Sequence, residues 1–317
     1  MNRLGLCFVG DYTFEEMVRY SRVAEKNGYE SVWFSEDLGL RDAVTPLAAV
    51  SMATEKIRLG SAIFPIYYRP PALMAMTVAT LDELSHGRFI LGLGNGVRSY
   101  IEKQGLEFCL PLRTMEEYVE IVRKLLQGET VTYRGRMYDL TNVNLGFKVP
   151  RRKIPIYVAA RGPRMFQLAG KLANGVIVSD GFCAEPYIRR AVELTRGSAE
   201  SVGRDYSKFD FASYVLLSVS EDHDEAAEKV KRPVISLLAE GCFDHYLKDF
   251  GVTAQDIEPI RLAWEKGDNA SAYAKVPDTL LDSCAVFGTP EECETKMKRL
   301  RTVGVKVPLI VPISTNF

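Results

Sequence analysis

The segment KIRLGSAIFPIYYRPPALMAMTVATLDELSHGRFILGLGNG, residues 56–96, contains two apolar runs separated by a helical pattern. The runs 56–65 and 88–96 are short and nearly continuous, which is typical of strands buried on both faces. The double proline at 70–71 suits the start of a helix, because the first helical N–H groups have no partner there. We therefore predict a strand, a helix ending near residue 84, and a second, parallel strand.

The rest of the chain repeats this unit, with further strands predicted at 4–10, 29–35, 154–160, 175–180, 209–220 and 305–313. Helices are predicted near 13–27, 44–55, 112–127, 221–240, 243–275 and 289–303, with a hairpin within 129–148. About eight strands joined by right-handed crossovers predict an α/β fold, a closed (β/α)8 TIM barrel, as one domain over 1–317. The alternative is an open doubly wound sheet, but the GxGxxG expected after its first strand is absent from FVGDYTF, residues 8–14.

Composition excludes several classes of partner. The 317 residues carry 40 basic and 41 acidic side chains, so no net field attracts nucleic acid or an anionic membrane. The longest apolar runs are well short of the ~20 residues of a membrane helix, and the first residues lack a signal-peptide pattern. Six scattered cysteines and three histidines distant in sequence predict a cytoplasmic protein without disulfides or a metal site.

In a barrel, the chemistry belongs to the carboxyl ends of the strands. Those ends are mostly small or backbone-exposing residues here, and no Ser/His/Asp or Cys/His set is apparent. Residues of this kind at the strand ends favour binding of a planar ligand over hydrolysis by a catalytic triad. The residues are Cys7, Phe8, Ser35, Glu36, Asp37, Ala62, Ile63, Phe64, Gly94, Asn95, Gly96, Ala160, Arg161, Gly162, Ser179 and Asp180.

The stretch YVAARGPRMFQLAG, residues 157–170, predicts a strand, a tight turn and the start of a helix. Helix-start amides form a natural anion site, to which Arg161 and Arg164 would add charge-assisted hydrogen bonds. Gly162 lets the backbone approach a ligand closely. An ordinary turn with two surface arginines is the alternative, and the stretch alone does not decide between them.

Several motifs together resemble the bacterial-luciferase-like flavin and deazaflavin oxidoreductases, and most closely the coenzyme F420-dependent methylenetetrahydromethanopterin reductases. The resemblance covers most of the chain and is densest from residue 4 to about 180. It is carried by VWFSED, by the segment that ends in TLDELSHGRFILGLGNG, by PLRTMEEYVEIVRKLL, by LGFKVPRRKIPIYVAARGPRMFQLAGKLANGVIVS and by FGTPEE.

The resemblance implies a luciferase-like barrel with an insertion over its carboxyl-terminal face; residues 243–280 are a possible helical insertion or lid. It also implies a cis peptide at Ala62-Ile63 and coenzyme F420, or alternatively FMN, in the barrel mouth. The basic run 151–153 is either a contact for the anionic tail of F420 or a solvated surface. The implied cofactor-binding residues are Ser35, Ala62, Ile63, Phe64, Gly94, Asn95, Gly96, Ala159, Ala160, Arg161, Gly162, Pro163, Arg164, Ser179 and Asp180.

The substrate side departs from that family. Glu36 and Asp37 stand where deazaflavin members commonly have an aspartate–histidine pair, and we predict that one of them is the catalytic acid or base. Cys7 and Val97 replace two acids of the reductases, so methylenetetrahydromethanopterin is a doubtful substrate. With Arg98, these two positions are candidate substrate contacts.

The predicted function is hydride transfer between F420 and a small organic substrate with a CH–NH, CH–OH or similar donor. One alternative is an FMN-dependent luciferase-like monooxygenase that works with a separate flavin reductase. The other is a non-catalytic flavin-binding protein. By resemblance, the chain is expected to form a homo-dimer or homo-tetramer.

Overall fold

The computed structural model describes residues 3–178, 183–241 and 244–313. The chain divides into two compact units. The first unit contains residues 1–177 and 194–210, and the second contains residues 178–193 and 211–317. Organisation as one domain over 1–317 stays a prediction.

The first unit is built on short, buried strands. They are β1 (Gly5–Phe8), β2 (Ser31–Phe34), β3 (Arg58–Ser61), β4 (Phe64–Pro65), β5 (Phe89–Gly94), β6 (Val131–Arg134), β7 (Asp139–Val143), β8 (Ile156–Ala160) and β9 (Gly175–Val178). Parallel pairing runs in the order β1–β2–β3–β5–β8, with β4 also beside β5. The predicted strands of this unit are confirmed, except that the run 56–65 is split into two.

Helices alternate with these strands: α1 (Phe14–Lys26), α2 (Val44–Ala53), α3 (Pro71–Leu84), α4 (Arg98–Lys103), α5 (Pro111–Leu126) and α6 (Pro163–Leu172). Local signals fix their starts. Thr13 and Glu16 form a capping box at the start of α1, and Pro71 occupies the first position of α3. The short helix α4 is an element that the sequence pattern did not predict.

The predicted hairpin is β6–β7, an antiparallel pair anchored by one carboxylate. The Glu117 side chain on α5 is fully buried and accepts the backbone N–H groups of Arg136 and Met137, both at 2.9 Å, and of Tyr138 at 3.2 Å. Burial opposes the charged form of Glu117, but these bonds lower its pKa overall. The ring of Tyr138 in turn contacts Tyr118, with ring centroids 5.9 Å apart.

Ion pairs close the amino ends of the strands. Arg3 binds Glu30 at 2.6 Å and Asp210 at 2.5 Å. Arg151 binds the buried Asp82 at 2.5 Å and also donates to the carbonyl of Phe89, the first residue of β5. The basic run 151–153 therefore lies at the amino edge of the sheet.

The second unit repeats the strand–helix pattern with α7 (Glu185–Glu200, which ends in the first unit), β10 (Asp210–Val219), α8 (His223–Ala239), α9 (Ala254–Glu265), α10 (Asn269–Ala274), α11 (Asp278–Cys284), β11 (Ala285–Gly288), α12 (Pro290–Thr302) and β12 (Val307–Pro312). The strand β10 pairs in parallel with β11 and β12. The single helix predicted over 243–275 is wrong: α9 and α10 are separated by a turn at Gly267. The strand β11 was not predicted.

Candidate active site at the carboxyl edge of the first unit

The carboxyl ends of β2, β3, β5 and β8 lie side by side, because these strands are parallel neighbours. This carboxyl edge brings together most of the predicted site residues. They are Ser35, Glu36, Asp37, Ala62, Ile63, Phe64, Gly94, Asn95, Gly96, Ala159, Ala160, Arg161, Gly162, Pro163 and Arg164.

The backbone after β3 has the conformation that the resemblance implies, with a cis peptide bond between Ala62 and Ile63. Two hydrogen bonds fix this segment to β2. The Ser35 hydroxyl donates to the Ala62 carbonyl at 2.6 Å, and the Ala62 N–H donates to the Phe34 carbonyl at 2.8 Å. The cis peptide is therefore held at the edge by its neighbouring strand.

Glycines allow β5 to pass close to this segment. A Cβ atom at position 94 would lie 2.6 Å from the Ile63 side chain, and one at position 92 would lie 1.9 Å from the Ser61 carbonyl. The Ser61 hydroxyl also exchanges two 2.9 Å hydrogen bonds with the Gly92 backbone. The glycine-rich end of β5 is thus required by close approach of two strands.

Asn95 follows β5 and carries an unsatisfied polar atom. Its Oδ1 is buried, and no group within the described ranges donates a hydrogen bond to it. A buried acceptor without a donor is costly, so such atoms in a native structure call for a partner. A ligand with an N–H group at this edge would satisfy Asn95.

Glu36 is held in an ion pair. Its side chain is only 7% exposed and receives both terminal nitrogens of Arg69, one of them at 2.8 Å. The Ala43 N–H also donates to Glu36 at 3.3 Å. Hydrogen bonding to Glu36 raises the pKa of Arg69 above its ordinary value, so the guanidinium stays charged. The Glu36 carboxylate is consequently a poor candidate for proton exchange with a ligand.

Asp37 has a more open environment. It is partly exposed, and its Oδ1 accepts the Tyr68 hydroxyl at 3.3 Å and the Leu38 N–H at 3.1 Å. Burial and the nearby Asp37 charge raise the pKa of Tyr68. Tyr68 therefore remains a donor at neutral pH, and Asp37 is the carboxylate of the predicted pair that a ligand can reach.

The turn between β8 and α6 has the features of an anion site. Gly162 is the N-cap residue just before α6 and provides no side-chain cap, and the first turn of the helix contains no acidic residue. Arg161 is partly exposed and Arg164 is exposed. At the other end of α6, Arg123 donates to the Leu172 carbonyl, and Arg204 donates to the Ala173 carbonyl. Two cations thus stabilise the negative end of the helix dipole, while the positive end faces solvent.

Other predicted residues have simpler surroundings. Cys7 is fully buried in β1, in register with Trp33, so it offers no exposed surface to a substrate. Val97 caps α4, and Arg98 lies 3.9 Å from Glu102 and over the Phe108 ring. Ser179 and Asp180 lie outside the described residues.

Sequence reasoning missed the contribution of α5. The buried Tyr118 hydroxyl donates to the Arg69 carbonyl at 2.9 Å, and the Arg69 guanidinium lies 5.0 Å from the Phe64 ring. Burial raises the pKa of Tyr118 well above its ordinary value, which keeps it a donor. The charged Glu117 at an otherwise apolar helix position was the available signal that this face of α5 makes specific contacts.

Comparison with known proteins places the chain in a family. The model of the luciferase-like monooxygenase family matches residues 7–306. The chain belongs to this family. The 5,10-methylenetetrahydromethanopterin reductase of Archaeoglobus fulgidus is 30% identical over 307 residues, covering 96% of this chain and 91% of that protein. The F420-dependent glucose-6-phosphate dehydrogenase of Microbacterium testaceum is 30% identical over 228 residues, or 68% of each chain.

A solved structure extends the likeness to three dimensions. The coenzyme F420-dependent tetrahydromethanopterin reductase from Methanopyrus kandleri superposes with a TM-score of 0.89 and 28% identity, covering 98% of this chain and 92% of that one. The predicted fold, a luciferase-like (β/α)8 barrel, is therefore confirmed. None of the helices in the described ranges is long and apolar enough to cross a membrane. The same ranges contain no cluster of three or more metal-ligating side chains.

Proposed function

We propose that this luciferase-like protein is an oxidoreductase that uses coenzyme F420 and a small organic substrate. The observation that carries the proposal is the unsatisfied, buried Asn95 Oδ1 at the carboxyl edge. The pyrimidine edge of a deazaflavin has an N–H group that would satisfy it. The likeness to F420-dependent enzymes along nearly the whole chain favours this cofactor.

The residues of the carboxyl edge fit such a group. Backbone amides at the start of α6, with Arg161 and Arg164, would hold its phosphate. The segment Ala62–Phe64 and the close-packed Gly94 would face the ring. When bound, F420 would supply the hydride chemistry, and the protein would supply placement and electrostatics.

Asp37 is the proposed acid–base residue. It is partly exposed at the same edge and receives the Tyr68 hydroxyl, whereas Glu36 is bound by Arg69. A carboxylate in this position can accept a proton from a CH–OH or CH–NH donor as it is oxidised, or return one in the opposite direction. The named relatives act on different substrates, so a panel of both donor types is the appropriate search.

The test is turnover with purified protein. We expect substrate-dependent reduction of F420, or oxidation of reduced F420, with at least one member of a panel of alcohols, sugar phosphates and reduced pterins. Activity that instead needs FMN, oxygen and a flavin reductase would contradict the proposal and support the monooxygenase alternative. Cofactor binding without turnover by any member would support a non-catalytic flavin-binding protein.

A further inference from the structure

Two consecutive acids at the end of β2 bind two consecutive residues in the loop before α3. Glu36 binds the Arg69 guanidinium, and Asp37 binds the Tyr68 hydroxyl. The two bonds therefore connect the same two backbone segments side by side. One pair is ionic and mostly buried, and the other is partly exposed and includes a neutral donor.

Arg69 is itself fixed at both ends. The Tyr118 hydroxyl holds its carbonyl from α5, and the Phe64 ring lies 5.0 Å from its guanidinium. The side chain is 18% exposed, and its partner Glu36 is 7% exposed. A two-point Arg–carboxylate bond in such surroundings restricts orientation as well as position.

We propose that Arg69 is a positioning residue, which binds Glu36 so that the adjoining Asp37 is presented with Tyr68 at the carboxyl edge. Arg69 also neutralises the negative charge of Glu36, which is the second part of the proposed role. Without Arg69, a buried negative charge would lie one residue from Asp37. The inference rests on the proposed function, because it assigns Arg69 a role toward the acid–base group of that same site.

The groups that act on Asp37 come from several elements. The loop after β2 contains the charged residues Glu36, Arg41 and Asp42; of these, Arg41 is paired with Asp11 at 3.3 Å, and Asp42 acts on Arg69. The loop before α3 contributes Tyr68 and Arg69. Gln104, after α4, lowers the pKa of Tyr68. Within this set, Glu36 is buried and Arg69 is mostly buried, so removing one of these charges should change the field at Asp37 most.

The two single substitutions are expected to shift the titration of Asp37 in opposite directions. Arg69→Gln leaves the Glu36 anion uncompensated, which disfavours a second negative charge and shifts the titration of Asp37 upward. Glu36→Gln leaves the Arg69 cation uncompensated and shifts the titration of Asp37 downward. Each shift should be about one pH unit, the lower part of the range for a charge a few ångströms away. The double variant Arg69→Gln/Glu36→Gln keeps the shapes without either charge and should titrate near the wild-type midpoint.

The experiment is a titration of Asp37 in the full-length protein without ligand, by carboxyl ¹³C NMR after labelling of aspartate. Asp37→Asn assigns the signal. Arg151→Gln is the matched control, since it removes a cation from a buried carboxylate at the opposite edge and should leave the Asp37 midpoint unchanged. The pH profile of turnover, where turnover is found, should move in the same directions.

Opposite shifts in the single variants and recovery in the double variant would support Arg69 as the group that neutralises Glu36 beside Asp37. Shifts in the same direction, or none, would overturn it and leave Arg69 as a structural ion pair. If Arg69→Gln does not fold, the Glu36→Gln and double variants decide the question alone. Because the titration needs neither cofactor nor substrate, its outcome is independent of whether F420 is the coenzyme.

Discussion

The two edges of the first-unit sheet differ in how their polar groups are satisfied. At the amino edge, Arg3 is bonded to Glu30 and Asp210, and Arg151 is bonded to Asp82. At the carboxyl edge, the Asn95 Oδ1 has no donor within the described chain, and α6 begins without a side-chain cap. Satisfied ion pairs are expected where residues stabilise the fold, and unsatisfied groups are expected where a ligand completes the site.

The largest effect should come from the proposed acid–base residue. Asp37→Asn should lower turnover about 10²- to 10⁴-fold, the usual contribution of a positioned general acid or base, with little change in melting temperature. Asp11→Asn is the matched control, because Asp11 is a 93% exposed carboxylate in the loop after β1 and should retain activity. Equal activities of the two variants would remove Asp37 from the mechanism.

The second-largest effect is expected at the amino edge, and it concerns the stability of the fold. Arg151→Gln would leave the fully buried Asp82 carboxylate unpaired and should lower the free energy of unfolding by about 3 kcal/mol. Denaturant unfolding measures this loss. Affinity for the cofactor, measured by fluorescence at a temperature where the variant is folded, should be unchanged. Weakened binding at full stability would reverse the roles that we assign to the two edges.

A smaller effect is expected at the start of α6. Arg164→Gln should weaken binding of F420 about tenfold, because a charge-assisted hydrogen bond contributes roughly 1.5 kcal/mol or more. Lys171→Gln makes the same charge change at the other end of the same helix and serves as the control. An equal loss of affinity in both variants would indicate a general effect of charge and no phosphate site at this turn.

The smallest effect concerns the unsatisfied acceptor. Asn95→Leu should raise the free energy of unfolding of the unliganded protein by about 1 kcal/mol, because it removes a buried acceptor that lacks a donor. The same variant should bind the cofactor more weakly. Ser218→Ala removes the second buried side-chain atom that lacks a partner among the described residues, in the second unit, and should leave cofactor binding unchanged. Stability lowered by Asn95→Leu would show that Asn95 has a structural partner.

Sequence patterns predicted the strands well, because continuous apolar runs report burial on both faces. The strand, turn and helix start over 157–170 followed from the local pattern, whereas the Ala62–Ile63 cis peptide followed from the resemblance. The pattern failed over 243–275, where helical composition continues through the turn at Gly267. It also missed β11, which has four residues and follows α11 directly.

The neighbouring acids illustrate why sequence alone could not assign the site. Glu36 and Asp37 are adjacent and chemically similar, so each was an equal candidate for the acid–base role. What separates them is Arg69, which lies 33 positions away and binds only Glu36. That contact depends on the spatial pairing of β2 with β3 and on Tyr118 from α5, neither of which a local pattern contains.

The most direct test of the central claim is a binding titration of the purified apoprotein with coenzyme F420 and, in parallel, with FMN, followed by absorbance and fluorescence. The account predicts tight binding of F420, weak binding of FMN, and loss of F420 affinity in both Asn95→Leu and Arg164→Gln. Preference for FMN would contradict the proposed coenzyme. Binding of neither would contradict a cofactor site at the carboxyl edge.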